Sequence, residues 1–355
     1  MIGGGGKPND CRDQSGQHMA RIIDIEADRQ AALKAASAAL ADGFAIAMPT
    51  ETVYGLAADA TNPAAITRIY ETKGRPRFNP LICHMADLAM AEQHAEFDPL
   101  SRALAEAFWP GPLTLVLPLR PTSPIHSLAT AGLDSVGVRV PKGFAGALIG
   151  AFGRPLAAPS ANTSGAISAT SAAHVEADLG AKIPLILDAG PSTVGVESTI
   201  VKVEGDRVRL LRPGGLAARE IEHVAGRPLL RAKKASAAIE APGMLASHYA
   251  PGASVRLNAS AVEPGEALIA FGGAAVEGAR DARIVLDLSP RGDLAEAAAN
   301  LFDYMKRADA SGVSSIAFSP IPDDGLGEAI NDRLQRAAAP RATDRADRSD
   351  RGSTR

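Results

Sequence analysis

The sequence predicts an α/β protein: a large mixed-sheet domain followed by a smaller α/β domain. Three observations predict it. Short apolar runs alternate with helical patterns along most of the chain, which is how strands and helices sharing a sheet-centred core read. The 355 residues exceed one ordinary domain, and 46% hydrophobic residues are enough to bury a large core. The periodicity lapses over residues 231–252 and then resumes, as expected of a linker between two domains.

Each element has a local reason. IEADRQAALKAASAALADG is an Ala-rich helix closed by Gly43, and FAIAMP is a strand ended by Pro49. PAAITRIYETKG starts with Pro63 at the first helical position and stops at Gly74. LICHM, PLTLVLPL, VGVRVP, RPLAAP, PLILDAG, STIVKVEG and RVRLLRPG are strand-like and complete a domain over 20–230. In the second domain, 253–338, VRLNAS, ALIAFGG, ARIVLDL and SSIAFSPIP read as strands. LAEAAANLFDYMKRADASG and LGEAINDRLQRAA read as amphipathic helices. No GxGxxG follows a strand there, so dinucleotide binding has little support. Residues 1–19 are Gly-rich and polar and 339–355 interleave Arg with Asp, so both are expected to be disordered.

Composition excludes several function classes. Lys and Arg number 37 against 40 Asp and Glu, a formal charge of −3, which rules out a globally basic nucleic-acid coat. Two cysteines, Cys11 and Cys83, exclude a disulfide framework and a Cys-based zinc site. No apolar run approaches the roughly 18 residues that a membrane span needs, and the N-terminus has no apolar signal core. The expected location is cytoplasmic, with no membrane partner.

Chemistry-bearing residues gather in five segments. In PTETVYGLAADATNPAAITRIYETKGRPRFNPLICH, the hydroxyls of Thr50, Thr52 and Tyr54 precede Lys73 and Arg75. Lys73 also suits the negative end of a helix dipole. Arg75, Arg77 and two prolines nevertheless make a stiff electropositive loop, and Arg forks with Lys charges suit phosphate. PLAAPSANTSG places Ser160 and Asn162 between a strand and a helix, where caps and ligands both occur. Arg139 sits inside a Val-rich strand and must face solvent or meet an anion. GVESTIV offers Ser198 and LLRPGG offers Arg212 at strand ends. One cleft lined by Lys73, Arg75, Arg139 and Arg212 would bind a polyanion such as a nucleoside triphosphate, or a carboxylate. No acid pair, Cys-His nucleophile or metal cluster stands out, so positioning and electrostatics are the expected chemistry.

PTETVYGL, KGRPRFNPL and PSANTSG, with WPGPLTLVLP, SVGVRVP, GVESTIV and LLRPG, resemble the YrdC-like threonylcarbamoyl-AMP synthases over residues 25–225. HYAP and the small domain resemble the two-domain form of that family. The resemblance implies a large twisted mixed-sheet domain with an open basic cavity, joined by an ordered linker to a Rossmann-like domain. It implies a nucleotidyltransferase that uses L-threonine, bicarbonate or CO2, and ATP, and releases threonylcarbamoyl-AMP and pyrophosphate. The product would serve a separate transferase complex that modifies adenosine next to the anticodon of tRNAs. Lys73 and Arg75 match the catalytic phosphate-gripping pair. Thr52, His84, Arg139, Ser160 and Ser198 match threonine contacts. Asn79, Ser135, Asn162, Thr170, Arg212, His248 and Tyr249, with Arg75, match ATP contacts. Mg²⁺ is expected with ATP, with no protein cage of its own. The chain departs from the family at Ser168-Ala169-Thr170, where Ser-Pro-Thr is common, and in APGMLAS before HYAP.

Two other functions fit parts of the sequence. A basic concave surface could hold double-stranded RNA by direct contact without catalysis. A hydrogenase-maturation type of carbamoyl transfer would need a zinc-finger region, which two cysteines exclude. Caps and turns alone would explain each Ser and Thr singly, but not Arg139 and Arg212 at strand ends.

Overall fold

The computed structural model describes residues 19–231, 240–242 and 248–340. The expected leader, the expected tail beyond residue 340 and most of the expected linker lie outside the described residues. Among the described residues, eleven strands form the large sheet. They are β1 (Arg21–Asp24), β2 (Ile46–Met48), β3 (Gly55–Asp59), β4 (Ile82–His84), β5 (Leu113–Pro118) and β6 (Ser135–Arg139), followed by β7 (Leu156–Ala157), β8 (Leu185–Asp188), β9 (Thr199–Glu204), β10 (Arg207–Arg212) and β11 (Leu230–Arg231). Their order is β1-β8-β2-β3-β7-β4-β6-β5-β9-β10-β11. Parallel and antiparallel pairs mix, with β4 parallel to β6 and β5 antiparallel to it.

Four further strands, β12 (Ser254–Arg256), β13 (Ala267–Ala270), β14 (Ile284–Asp287) and β15 (Ser315–Phe318), form a second, all-parallel sheet ordered β12-β15-β13-β14. Parallel neighbours need crossovers. Helix Leu294–Ala310 supplies one, started by Asp293, whose carboxylate accepts from the N–H groups of Ala295 and Glu296.

The helix that aims the Lys-x-Arg pair is set by its ends. Asn62 caps it, accepting from Ala64 and Ala65, and Pro63 occupies the first turn. Gly74 closes it in the left-handed region at φ 60°. Ala65, Ile66, Ile69, Tyr70 and Lys73 share its buried face. Helical spacing therefore carries a lysine into the interior along an apolar stripe.

The two sheets share a core. Val53, Ile167 and Val196 of the first domain pack in one apolar cluster with Tyr249, Leu301, Phe302 and Phe318. Gly195 makes that approach possible. It adopts φ 76°, and a Cβ there would lie 2.3 Å from the Ala298 carbonyl oxygen on helix Leu294–Ala310. Among the described residues, no helix is long and apolar enough to cross a membrane.

Candidate functional site

The carboxyl ends of β4 and β6 lie side by side, so that His84 is paired with Arg139 in register. A cleft opens there. Thr50, Thr52, His84 and Arg139 line it together with Arg75, Ser160, Ser198 and Arg212. His248 and Tyr249 of the linker border the same space. Nine of the fourteen expected site residues thus line one cavity.

Arg139 is held by three neighbours. Its Nε donates to the Gly111 carbonyl at 3.1 Å and its Nη1 to the Thr52 hydroxyl at 2.8 Å. Its Nη2 lies 2.7 Å from Glu51 Oε1. Both members of this ion pair are buried, with side chains 4% and 8% exposed. The anion that a buried arginine requires is therefore Glu51. Beside it, burial and the Arg139 charge push His84 down to about 3, so its ring is neutral at pH 7.

Arg212 reaches the cleft through a bulge. The β9–β10 register shifts between Leu210 and Arg212. Strict alternation would put Arg212 on the side of Val208 and Leu210, both in the main core. The extra residue breaks that alternation. Arg212 then donates through Nη2 to the Ser198 carbonyl at 2.9 Å and to its hydroxyl at 3.2 Å. The Ser198 hydroxyl is 2.7 Å from that of Thr114. Gly214 permits the turn to lie on this strand, since a Cβ there would meet the Glu197 carbonyl at 2.3 Å.

Lys73 and Arg75 divide. Lys73 does not line the cleft. Its ammonium donates to the carbonyls of Ser160, at 2.6 Å, and of Asn162. It ties the Ser-x-Asn turn to the helix end, where Ser164 N–H also donates to the Lys73 carbonyl. Burial, and then the Arg75 charge, lower Lys73 to about 7. Arg75 Nη2 donates to the Pro80 carbonyl at 2.9 Å and Nε to that of Asn79 at 3.3 Å. Burial lowers Arg75 to about 10, so it stays cationic at pH 7.

Four other expected residues also lie outside the cleft lining. Asn79 and Asn162 are buried, and the Oδ1 of each has no hydrogen-bond partner among the described residues. Asn162 Nδ2 donates to the carbonyls of Thr163 and Ala166. Thr170 meets His174 Nδ1 at 3.3 Å, and Ser135 pairs with Pro118 at the β5–β6 edge.

Sequence reasoning missed three charged residues at this site. Glu51 and Glu197 lie inside motifs already singled out, and a charge flanked by buried neighbours was the available signal. Burial alone would raise the Glu197 carboxyl, but Arg333, Arg212 and the Ser168 hydroxyl outweigh it and hold Glu197 at about 2. Ser168 Oγ donates to it at 2.6 Å and Arg333 Nε at 2.8 Å. Arg333 comes from the second domain and is completely buried. Ile330, Arg333, Leu334 and Ala337 share the buried face of helix Gly327–Ala337, so this charge stood on an apolar stripe in the sequence.

His248 adds a pH dependence. Its rings and those of Tyr249 are 4.1 Å apart, and burial lowers His248 to about 3. An unfolded histidine titrates near 6.5. Between pH 6.5 and 3 the unfolded chain therefore binds more protons, and stability falls as pH falls. His84 and His248 each contribute about 1.4 kcal/mol per pH unit in that window. The thermal midpoint should drop from pH 6.5 to pH 4, and His248→Gln should flatten the slope. A midpoint independent of pH across that range would contradict neutral buried imidazoles.

Comparison with known proteins matches this geometry to a family. The family described as Telomere recombination matches residues 38–214, and the threonylcarbamoyl-AMP synthase C-terminal domain matches residues 216–339. The chain is 41% identical to the threonylcarbamoyl-AMP synthase of Bacillus subtilis over 322 residues, covering 86% of this chain and 92% of that protein. It is 41% identical to that of Pyrococcus abyssi over 327 residues, covering 86% and 94%. The crystal structure of P. abyssi Sua5 complexed with L-threonine superposes with a TM-score of 0.80 at 37% identity, over 90% of this chain and 98% of that one. With both domains matched in order and the relatives covered almost end to end, the chain belongs to the threonylcarbamoyl-AMP synthase family.

Proposed function

We propose that the chain joins L-threonine, bicarbonate or CO2, and ATP into L-threonylcarbamoyladenylate, with release of pyrophosphate. The observation that carries the reading is the convergence of Arg139, His84 and Thr52 with Arg75, Arg212 and Ser198 on one cleft. The first group suits a small zwitterion with a carboxylate and a hydroxyl. The second suits phosphates, since arginine forks match their oxygens. Relatives that bear the synthase name, and a similar structure that holds L-threonine, support the assignment.

The threonine amine attacks CO2 with loss of a proton, or bicarbonate with loss of water, to give N-carboxythreonine. Its new carboxylate attacks the α-phosphorus of ATP in line, and pyrophosphate leaves. Arg139, Thr52, His84, Ser160 and Ser198 bind threonine. Arg75 and Arg212 offset charge on the phosphates, while Asn79, Asn162, Ser135, Thr170, His248 and Tyr249 contact or border the nucleotide. Lys73 acts through the Ser160–Asn162 turn that it holds. The described residues include no group of three or more His, Cys, Asp or Glu placed to hold a metal, and Glu197 is already bound by Arg333 and Ser168. Mg²⁺ would enter as the companion of the ATP phosphates. The product would pass to a separate tRNA-modifying transferase, in the cytoplasm.

The test is pyrophosphate release from ATP by the purified chain, with and without L-threonine and bicarbonate. Release should require both. Arg75→Ala should lower turnover by about a hundredfold, the typical effect of losing one placed donor. Lys73→Ala should do the same by loosening the turn. Full activity in either variant refutes its role. Salt-dependent RNA binding without any pyrophosphate release would replace the synthase reading with an RNA-binding one.

A further inference from the structure

The second domain carries a cavity of its own, about 270 Å³, away from the cleft. It lies outside the carboxyl ends of the neighbouring parallel strands β12 and β15, where Leu257 and Asn258 leave one and Ser319 leaves the other. The chain separates there to opposite faces of the sheet. After β12, Ala259 and Val262 pack on the face of Leu268, Ala270 and Ala317. After β15, the chain enters helix Gly327–Ala337, whose Ile330 and Leu334 pack with Ile316 and Phe318 on the other face. Open parallel sheets bind their ligands in such a crevice.

A second observation is independent of topology. Ser319 is 2% exposed and lines the cavity, and its hydroxyl has no hydrogen-bond partner among the described residues. Its position is fixed, because its N–H donates to the Ile269 carbonyl and the preceding Phe318 carbonyl accepts from Ala259 N–H. A buried hydroxyl without a partner destabilises the fold unless something else in the cavity bonds it. Asn258 holds a left-handed backbone at φ 55° on the rim. Asn331 Nδ2 donates to the Ile321 carbonyl at 3.1 Å and to one Asp323 oxygen at 3.2 Å, which fixes the wall that carries the Asp323 carboxylate.

The lining decides the ligand chemistry. It contains amides, a hydroxyl and one carboxylate, with apolar patches at Leu257 and Ile321, and no Lys, Arg or His. A phosphate or carboxylate ligand would meet only the repelling Asp323. A carboxylate is instead a good acceptor for neighbouring hydroxyls, as in the ribose contacts of nucleotide-binding α/β folds. We propose that this crevice is a second ligand site and that it takes an uncharged ribonucleoside, with the sugar hydroxyls toward Asp323 and Ser319 and the base against the apolar wall. The proposal is independent of the synthase reading.

The test is calorimetric titration of the full chain with adenosine, in saturating ATP and without L-threonine, so that the catalytic cleft is filled. One adenosine per chain should bind. Ser319→Val and Asp323→Asn should each weaken it at least tenfold, and 2′,3′-dideoxyadenosine should bind at least tenfold more weakly. Raising ATP tenfold above saturation should leave it unchanged, which separates this site from the catalytic one. If Ser319→Val does not fold, Asn258→Ala on the exposed rim takes its place. No binding at millimolar adenosine, or binding indifferent to these second-domain variants, overturns the proposal and leaves a cavity filled by water alone.

Discussion

Arg139→Ala should abolish threonine-dependent pyrophosphate release and also lower the unfolding free energy by about 3–5 kcal/mol. The two losses have different origins. Stability falls because Glu51, with its side chain 8% exposed, loses its counter-ion. Among the described residues, the Lys142 N–H, 3.2 Å from Glu51 Oε2, is the donor to that carboxylate that remains. Activity falls because the guanidinium that orders the Thr52 hydroxyl and faces the cleft has gone. The double variant Arg139→Ala/Glu51→Gln separates them. Removing the stranded charge should restore most of the stability and none of the activity. Denaturant unfolding and a pyrophosphate assay on both variants decide the matter. An Arg139→Ala enzyme that turns over normally would remove Arg139 from threonine binding. A double variant no more stable than the single one would mean that the loss comes from packing and not from Glu51.

Glu51 also explains how far the site was legible. A charge inside SVGVRVP had either to face solvent or to meet an anion, and the fold takes the second course. Its identity as Glu51 did not follow, because the pairing joins strand β6 to the loop after β2 across 88 residues of chain, and no local pattern encodes such an encounter. Elements with strong periodicity or end signals were readable: helix Pro63–Lys73 begins and ends where Asn62, Pro63 and Gly74 require. Strand β3 was not, because Gly-Leu-Ala-Ala-Asp is small and carries no alternation, and burial on both faces makes it a strand. Arg212 was flagged correctly at a strand end, but the bulge that turns it out of the core is set by the pairing of β9 with β10. Lys73 shows the opposite limit. The resemblance pairs it with Arg75 as a phosphate grip, and the fold buries its ammonium against the Ser160 and Asn162 carbonyls, a contact that no local pattern encodes.

Arg333→Met should uncouple the second domain from the cleft, with a stability loss of about 3–5 kcal/mol and a raised KM for ATP. This guanidinium holds four groups at once. It donates to Glu197 at 2.8 Å, to the Pro213 carbonyl at 2.7 Å and to Asp332 at 2.9 Å, and it lies over the Tyr249 ring at 5.3 Å from its centroid. Tyr249 in turn stacks on Phe302 and contacts His248. Glu197 precedes Ser198, whose carbonyl and hydroxyl hold Arg212. One residue of the second domain therefore fixes both a wall of the cleft and the linker aromatics beside it. Methionine keeps much of the volume and removes the charge, so the loss reports on Glu197 left buried and unpaired. Arg333→Met/Glu197→Gln should recover stability, since both charges are then absent, while Tyr249 stays without its cation and the KM for ATP stays high. Calorimetry and steady-state kinetics on the two variants test this. An Arg333→Met protein with unaltered melting and unaltered KM would show that the apolar contact of Val53, Ile167 and Val196 with the second domain is sufficient by itself.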